Sequence, residues 1–407
     1  MLIKSSSDKV RRQNSTRVLS VLRRQEALSH TDLSELTGLA SATVTAITAE
    51  LEQIGAIERH EPQAAAARGR PRVLLSRRRS FAYCICVQIS SDNVRYALAD
   101  YRGTLMDRFD EPRVQTATPQ QFSADFARAL LRLAERSKLD PAAVAVLSVS
   151  SKGIVDAEGA HVVWSPVFGN QPVDLDRALS AFPNADLMIS NESLLVAYGL
   201  ASRLGGEGGG FRGLIALSLG HSIGLGIART NGVGGFEINA PNFGHMLNAA
   251  DNKLCRCGSR GCVEASAGFY GILRTAFEVP PDTIPARFVP LAEMDRIALS
   301  ARQGNRMGQY AFRQAGLALG QGLSRVFSLY ETLPVIVTGP GTRYYDLLAR
   351  GLEEGLQQCL QVRLDGMPKI DIAGDEASLV YEGHLDRALK AIDQQLAATA
   401  PRAIFGA

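Results

Sequence analysis

Four residues that could bind a metal lie within eighteen positions of this 407-residue chain: His245, Cys255, Cys257 and Cys262. Proteins bind Zn²⁺ tetrahedrally with nitrogen and sulfur ligands, and Cys-x-Cys and Cys-x4-Cys spacings let one turn of chain supply three of them. Gly258 and Gly261 supply the backbone freedom that such a sharp fold requires. Four protein ligands would leave no coordination position open, so we expect a structural zinc ion rather than a catalytic one.

Two points about this site stay open in the sequence. The thiols could instead be reduced cysteines that pack as small apolar side chains, with the histidine hydrogen-bonded in the core. Three of the chain's six cysteines fall within eight residues, which favours the metal site. His245 is the least secure ligand of the four, because nothing local brings it back to the thiols.

Length and charge indicate two or three domains with one basic end. Residues 1–80 carry 14 Lys and Arg against 8 Asp and Glu, a balance of +6, whereas residues 81–407 carry 30 against 33. This asymmetry predicts an anionic partner for the first part only. The polar start of the chain and the shortness of its apolar runs predict no secretion signal and no membrane segment. We therefore expect a cytoplasmic protein, in which clustered cysteines indicate metal binding rather than disulfides.

Three short helical patterns follow one another in residues 1–80. The second ends at Gly38, and the third has apolar residues at helical spacing with Ser41 placed to cap its start. A helix, a glycine-containing turn and a second helix form the arrangement in which the second helix enters the DNA major groove by its N-terminal end. The short, uncharged residues expected to contact DNA from this helix are Ser41, Ala42, Thr43, Thr45 and Thr48.

Residues 55–79 predict two β-segments around a loop, which would form the wing of a winged helix. The three helices alone would equally fit a small helical bundle, and the wing favours DNA binding. The loop carries a slim basic motif that resembles the core of an AT-hook and could enter a narrow minor groove: Arg68, Gly69, Arg70 and Arg72. A basic, flexible linker is a compatible reading of the same residues. Arg77, Arg78 and Arg79 are expected to add phosphate contacts.

From residue 81 the pattern changes to two cycles of strands and helices. The first cycle predicts antiparallel strands in residues 81–89 and 94–100, then a helix and another strand. Cys84 and Cys86 lie in the first of these strands and are expected to be buried there rather than to act as a redox pair. A second cycle begins near residue 187. Two α/β halves with a cleft between them are therefore the expected architecture.

The chain resembles the ROK family of sugar kinases and sugar-responsive transcriptional regulators. Residues 255–264, CRCGSRGCVE, carry the resemblance together with Gly244 and His245. It extends over essentially the whole chain, because regulators of this family begin with a winged helix and a GRP linker. The resemblance implies an α/β body of the actin-like ATPase fold, with two ribonuclease-H-like lobes, behind an N-terminal all-α, winged helix-turn-helix domain.

The resemblance also implies domain boundaries. The DNA-binding domain and basic linker would occupy residues 1–80. The first lobe would occupy residues 81–190 and be completed by a C-terminal helix in residues 376–396. The second lobe, with the zinc motif, would occupy residues 191–375.

Several positions depart from the catalytic pattern of the family's kinases. Gln88, Ser90, Ser91 and Asp92 stand at the first phosphate loop, where the aspartate would repel a polyphosphate. The second phosphate turn reads Gly220-His221-Ser222. The catalytic base is replaced by Glu192, and a misplacement of about 1 Å can cost on the order of 100-fold in rate. We therefore expect no ATP binding and no enzymatic activity.

The resemblance implies that Asn191, Glu192, His245 and Glu264 line the ligand cleft. Two usual sugar contacts are changed, because Asn242 replaces a carboxylate and Val167 replaces an asparagine. Sites built for particular hydroxyl groups reject ligands that leave their polar groups unpaired. An altered sugar, a sugar derivative or no ligand at all remain open.

The resemblance implies a DNA-binding transcriptional repressor, controlled by a sugar-like effector in the cleft of a catalytically inactive body. Binding to a double-stranded, roughly palindromic operator implies a homodimer or a dimer of dimers. Two alternatives stay open. One is a sugar kinase with an accessory DNA-binding domain, and the other is a constitutive DNA-binding protein with a vestigial cleft.

Overall fold

The computed structural model describes residues 2–60, 73–114, 117–156, 161–168, 171, 173–205, 211–231, 235–248 and 252–398. Within these ranges the helices are α1 (Leu2–Arg24), α2 (His30–Thr37), α3 (Ser41–Gln53), α4 (Pro119–Arg136), α5 (Asp176–Leu179), α6 (Glu192–Leu204), α7 (Val263–Ala267), α8 (Phe269–Ala276), α9 (Leu291–Arg302), α10 (Arg306–Leu329), α11 (Tyr345–Leu356), α12 (Leu360–Asp365) and α13 (Glu376–Ala398). The strands are β1 (Ile57–His60), β2 (Leu74–Arg77), β3 (Tyr83–Ile89), β4 (Asn93–Asp100), β5 (Leu105–Pro112), β6 (Val144–Ser151), β7 (Ile154–Asp156), β8 (His161–Trp164), β9 (Val173–Asp174), β10 (Asp186–Asn191), β11 (Gly213–Ser218), β12 (Gly224–Thr230), β13 (Phe236–Asn239), β14 (Val335–Thr338) and β15 (Ile370–Ile372). None of these helices combines the length and the apolar character needed to cross a membrane.

The N-terminal module consists of α1, α2, α3 and the antiparallel hairpin β1–β2. A capping box between Ser29 and Asp32 starts α2, and Gly38, at φ 65°, ends it in the left-handed conformation that favours glycine. Because the hairpin follows the third helix directly, the predicted winged helix-turn-helix is confirmed. The arginine motif at Arg68, Gly69, Arg70 and Arg72 lies outside the described residues.

Two predictions about α3 are wrong. Ala40, not Ser41, occupies the position before the helix, and it makes no side-chain capping hydrogen bond. Thr48 lies on the buried face, only 2% exposed, because its hydroxyl bonds the carbonyl oxygen of Val44 one turn earlier at 2.9 Å and the ring of His30 at 3.0 Å. The outward face of α3 does carry exposed Ser41, Ala42 and Thr45, with Thr43 partly exposed.

The prediction that Arg77 contacts phosphates is also wrong. It is 3% exposed, its guanidinium donates to the carbonyl oxygen of Arg102 at 3.3 Å, and it lies 4.9 Å from the ring centre of Tyr101. Arg77 therefore belongs to the interior and cannot contact a DNA phosphate, whereas Arg78 and Arg79 are exposed, and their phosphate contacts stay a prediction.

The body contains two five-stranded sheets of the same topology. In the first, β3, β4 and β5 form an antiparallel meander, β6 pairs parallel to β3, and β10 pairs parallel to β6. In the second, β11, β12 and β13 form the meander, and β14 and β15 add parallel strands in the same way. This repetition confirms the predicted pair of α/β lobes.

Helices cover both faces of each sheet. On the first sheet, α4 packs on one face, and the other face, which includes buried Cys84 and Cys86, packs against α13. On the second sheet, α7 to α11 contribute to the core on one side, and α6 and α13 pack on the other. The described structure thus places α6 and α13 between the two sheets.

The backbones of the two central helices come into close contact at two glycines. A Cβ at Gly383 of α13 would collide with the carbonyl oxygen of Leu195 in α6, and a Cβ at Gly199 of α6 would collide with that of Leu379. Only glycine allows such a close backbone approach. A displacement of either helix must therefore displace the other.

The N-terminal module shares a hydrophobic core with the first lobe. Val18, Leu19 and Leu22 of α1 belong to the same buried cluster as Leu389 and Ile392 of α13. The module is therefore docked on the body by apolar packing, whatever the conformation of the basic segment at its wing.

His384 links α13 to the first sheet from inside the core. It is 1% exposed, and its ring nitrogens lie 2.8 Å from the Ser148 hydroxyl and 2.9 Å from the Ser150 hydroxyl, both on β6. Burial, with a contribution from the nearby Arg387 charge, lowers the pKa of His384 to about 3. The folded protein therefore keeps this ring neutral under mildly acidic conditions.

We predict that this histidine makes the protein less stable as the pH falls. An unfolded histidine gains a proton near pH 6.5, so between that pH and the folded pKa the unfolded state binds one more proton than the native state. Between pH 7.5 and 5, His384→Gln should lose about 2 kcal/mol less unfolding free energy than the wild type. Urea unfolding at several pH values measures this difference, in which contributions common to both proteins cancel. Parallel stability curves would contradict it.

Candidate ligand cleft and metal centre

A small cleft, with a cavity volume of about 50 Å³, lies where the two lobes meet. The carboxyl ends of β6 and β10 supply one wall, and the turns around β12 and the metal loop supply the other. Asn191 ends β10 and caps α6, because its side-chain oxygen accepts from the backbone N–H of Ser193 at 2.8 Å while its amide donates to the carbonyl oxygen of Gly153. Asn191, Glu192, His245 and Glu264, the four residues expected in the cleft, all line it.

Glu192 is held by two partners from the first lobe. It is 4% exposed, and its carboxylate accepts a hydrogen bond from the Gln88 amide and lies 3.6 Å from the Lys152 ammonium. Burial by itself would lower the pKa of Lys152, but the carboxylates of Glu192 and Glu376 outweigh it and raise that pKa. The lysine is therefore a cation at neutral pH, and the carboxylate at the catalytic-base position is ion-paired.

Glu376, the first residue of α13, lies behind this pair. Its carboxylate accepts a hydrogen bond from the hydroxyl of Ser218, which ends β11 and lines the cleft. Burial, opposed by the charge of Lys152, raises the pKa of Glu376. Neither Lys152 nor Glu376 was foreseen in the sequence. The signal for Lys152 was its position directly after the fully buried strand β6, where a charge needs a partner.

Glu264 is anchored by an arginine from the metal loop. The Arg256 guanidinium lies 3.1 Å from the Glu264 carboxylate, and both side chains are less than one tenth exposed. Arg256 also donates to the carbonyl oxygen of His221 and to the Ser222 hydroxyl, and it stacks 4.7 Å from the ring centre of Tyr270. Arg256 stands between two of the cysteines, so the metal loop, the turn at residues 220–222 and the cleft carboxylate form one unit.

The four candidate metal ligands converge at one point. Their donor atoms lie within 4.8 Å of one another, with 3.6 Å between Cys255 Sγ and His245 Nδ1 and 3.7 Å between the sulfurs of Cys257 and Cys262. Zn–S bonds of about 2.3 Å at tetrahedral angles separate neighbouring sulfurs by about 3.7 Å, so the residues fit such an ion. The described structure therefore contains a cluster that could hold a metal.

Backbone hydrogen bonds bring the fourth residue, His245, to the thiols. The N–H of Val263 donates to the carbonyl oxygen of Met246 at 3.0 Å, and Leu247 pairs with Cys262 in an isolated antiparallel bridge. Hydrogen bonding from Cys262, partly offset by burial, lowers the pKa of the Cys255 thiol, and the thiolate is the form that binds metals. Because His245 precedes the first of these cysteines by ten residues, the sequence alone did not establish it as a ligand.

His245 also touches the opposite lobe. Its ring meets the ring of Trp164 edge to face, with centroids 4.9 Å apart. With Nδ1 directed at Cys255, the other ring nitrogen remains for a contact in the cleft. Trp164 is the single tryptophan of the chain, and because it belongs to no recognised motif, the sequence did not predict it as a cleft residue.

Residues at the two phosphate-loop positions are engaged with other protein groups. The Arg113 guanidinium donates to the carbonyl oxygen of Ser91 at 2.9 Å. His221 stacks on Phe288 with ring centroids 4.7 Å apart, and burial, helped by the charges of Lys152 and Arg256, lowers its pKa to about 4. His221 is therefore a packed neutral ring. Val167 packs at the edge of the first lobe's core rather than in the cleft lining.

A second candidate surface lies on the N-terminal module. The exposed residues of α3 follow the turn at Gly38, and the side chain of Arg17 from α1 reaches this turn, 3.8 Å from where a Cβ of Gly38 would lie. Arg17 is itself exposed. Its place beside the turn depends on the packing of α1, which the sequence pattern alone does not specify.

Comparisons with known proteins agree with this architecture. The profile of the ROK family matches residues 84–380, and that of the MarR family matches residues 12–63. The chain is 25% identical to a xylose repressor of Caldicellulosiruptor bescii over 358 residues, which cover 85% of this chain and 87% of that protein. It is 26% identical to a glucokinase of Streptomyces coelicolor over 318 residues, which cover 74% of this chain and 97% of the kinase.

A solved structure gives the same fold. It is described as a ROK family transcriptional regulator, a homolog of the Escherichia coli MLC protein. The two structures superpose with a TM-score of 0.75 at 20% sequence identity, covering 95% of this chain and 98% of the other. The fold of module and body together is therefore that of a known protein.

Proposed function

The chain belongs to the ROK family, and from this we propose that it is a DNA-binding transcriptional repressor controlled by a sugar-like effector. The observation that carries the proposal is the docking of a winged helix-turn-helix module on a two-lobed body whose cleft carboxylates are paired with cations. The xylose repressor relative matches most of the same length.

We propose that α3 enters the major groove. Its exposed Ser41, Ala42 and Thr45 are short, so they permit close approach to base edges, and partly exposed Thr43 extends this face. Arg17 would contact a phosphate beside the start of the helix. At the wing, Arg68, Gly69, Arg70 and Arg72 would enter the minor groove. Two modules in a homodimer would bind half-sites of a palindrome.

The cleft is the proposed effector site. Asn191, Glu192, His245 and Glu264 would offer an amide, two carboxylates and a ring nitrogen to a polyol. Because both carboxylates already have cationic partners, a ligand must either fit beside these ion pairs or rearrange them. An effector that prefers one lobe arrangement would shift the protein toward it by its difference in affinity between the two states.

Two departures from the kinase pattern argue against kinase activity. Glu192 stands in place of the aspartate of the kinase pattern, and a misplacement of about 1 Å can cost on the order of 100-fold in rate. One of its oxygens accepts from Gln88, while the other lies 3.6 Å from Lys152 and has no hydrogen-bond partner among the described residues. Asp92 adds a negative charge at the first phosphate loop. The similarity to a glucokinase keeps phosphorylation as the second candidate. Sugar-dependent ATP turnover that disappears in Glu192→Gln would overturn our choice.

We further propose that the cluster of His245 and three cysteines holds a structural zinc ion. Four protein ligands would complete its coordination, so the metal would supply no open position for a substrate. Its task would be to fix the loop that carries Arg256 and Glu264 into the cleft. The hydroxyl of Tyr270, which donates to Cys255 Sγ at 3.4 Å, would support the ligand sulfur.

We predict about one zinc ion per chain, lost in Cys257→Ser because three ligands hold zinc less tightly than four. The variant should also melt at a lower temperature. Elemental analysis and thermal unfolding of the purified proteins measure both effects. Cys359→Ser is the matched control, since this buried cysteine lies outside the cluster. A Cys257→Ser protein with full zinc content would exclude the proposed site.

We predict that DNA binding depends on the exposed face of α3. On a 30-base-pair duplex at low salt, Ala42→Glu should weaken binding by about tenfold or more, because a carboxylate would face the phosphates. Arg17→Ala should reduce the slope of log affinity against log salt by about one. The control Arg128→Ala removes an exposed arginine of α4, paired with Asp125, and should leave binding unchanged. Equal binding by Ala42→Glu and the wild type would refute the proposed interface.

A further inference from the structure

One helix, α13, bonds to the cleft, to the first sheet and to the N-terminal module. At its start Glu376 accepts a hydrogen bond from Ser218 in the cleft wall. Midway, His384 bonds two serines of β6, and Arg387 donates to the Ser190 hydroxyl of β10. Near its end Asp393 meets α1. A rise of about 1.5 Å per residue separates Glu376 from Asp393 by about 25 Å.

The contact at Asp393 is a buried ion pair. Its carboxylate lies 2.9 Å from the Arg23 guanidinium and accepts a hydrogen bond from the Tyr101 hydroxyl at 2.8 Å. Asp393 is 1% exposed and the Arg23 side chain 13%. Breaking one partner of such a pair leaves an uncompensated charge in a dry environment, which is far costlier than losing a surface pair.

Arg77 adds a second buried cation near this pair. It comes from β2 at the base of the wing, and two of its guanidinium nitrogens lack a hydrogen-bond partner among the described residues. The Tyr101 ring lies beneath it at 4.9 Å. Arg23 of α1 therefore pairs with Asp393, and the charge of Arg77 from the wing hairpin lies near enough to interact with the same carboxylate.

The other end of this connection lies in the cleft. Glu192 begins α6, and α6 crosses α13 at the close backbone contacts of Gly199 and Gly383. Close-packed helices of this kind transmit a displacement because they cannot deform continuously. A change around Glu192 or Glu376 therefore acts on α13 directly.

We infer that Asp393 is a positioning residue, through which α13 couples the occupancy of the cleft to the placement of the DNA-binding module. The inference rests on the proposed function, since it concerns how that regulation is transmitted. Asp393 is buried and does not line the cleft, so it would act through Arg23 and Tyr101. The simpler alternative is that the pair only holds the module in place, which would make its effects independent of the cleft.

A double-mutant cycle separates these two roles. Full-length wild type, Glu376→Gln, Asp393→Asn and the double variant are compared for affinity to a 30-base-pair duplex. Glu376→Gln should change the affinity of the wild type by about fivefold or more, the range of ordinary allosteric coupling. In the Asp393→Asn background the same change should have less than about a twofold effect. An equal effect of Glu376→Gln in both backgrounds, or none in the wild type, would overturn the inference.

Asp386→Asn is the matched control. Asp386 lies about two helical turns before Asp393 on α13. Its carboxylate is 3.9 Å from the Arg23 guanidinium and only 2.6 Å from the Lys390 ammonium. We expect it to leave the effect of Glu376→Gln intact. If Asp393→Asn does not fold, Tyr101→Phe removes only the hydroxyl that donates to Asp393 and should reduce the coupling partially. Full coupling in folded Tyr101→Phe would then count against the inference.

Hydrogen exchange tests the coupling independently of the proposed DNA binding. Glu376→Gln should accelerate amide exchange in residues 15–24 of α1, and it should do so less in the Asp393→Asn background. This measurement needs no DNA. If the wild type binds no duplex, the proposed function is refuted. If Glu376→Gln leaves the amide exchange rates of α1 unchanged, the coupling is refuted.

Discussion

The contact on which the rest of the structure depends is the crossing of α6 and α13. Gly199 and Gly383 bring the two backbones together where any Cβ would collide with a carbonyl oxygen. The two sheets pack on either side of this pair, and the cleft opens at its beginning. The far end of α13 shares a core with the N-terminal module. Cleft and module are thus connected through close packing rather than through a loop.

The carboxylates of the cleft are buried and are therefore paired with cations. Both cleft carboxylates have a cationic partner within the protein, Glu192 in Lys152 and Glu264 in Arg256. Buried carboxylates require such partners, because an unpaired charge in a dry site is costly. The cleft of this two-lobed body therefore presents carboxylates whose charge the protein itself balances.

Local patterns in the sequence predicted much of this protein. The cysteine spacing predicted the metal cluster, and the helix-turn-helix, the hairpin and the two α/β lobes were confirmed, because each depends on periodicity or turn residues within a short stretch. Predictions that depended on three-dimensional packing were wrong at Thr48, on the buried face of α3, and at Arg77, which packs against Tyr101 and Arg102 of the first lobe. Lys152 and Arg256 were missed for a related reason: their partners are 40 and 8 residues away, and a single charge in a sequence does not reveal them. The ion pair between Arg23 of α1 and Asp393 of α13 joins residues 370 positions apart, so no local pattern could predict it.

The central claim is that this chain recognises a particular DNA sequence with a module fixed to a ligand-binding body. Sequencing the genomic DNA fragments retained by the full-length protein tests it most directly. The account predicts enrichment of a roughly palindromic sequence, with half-sites about one helical turn or a multiple of it apart. Retention of fragments without any shared sequence, or of none at all, would contradict it.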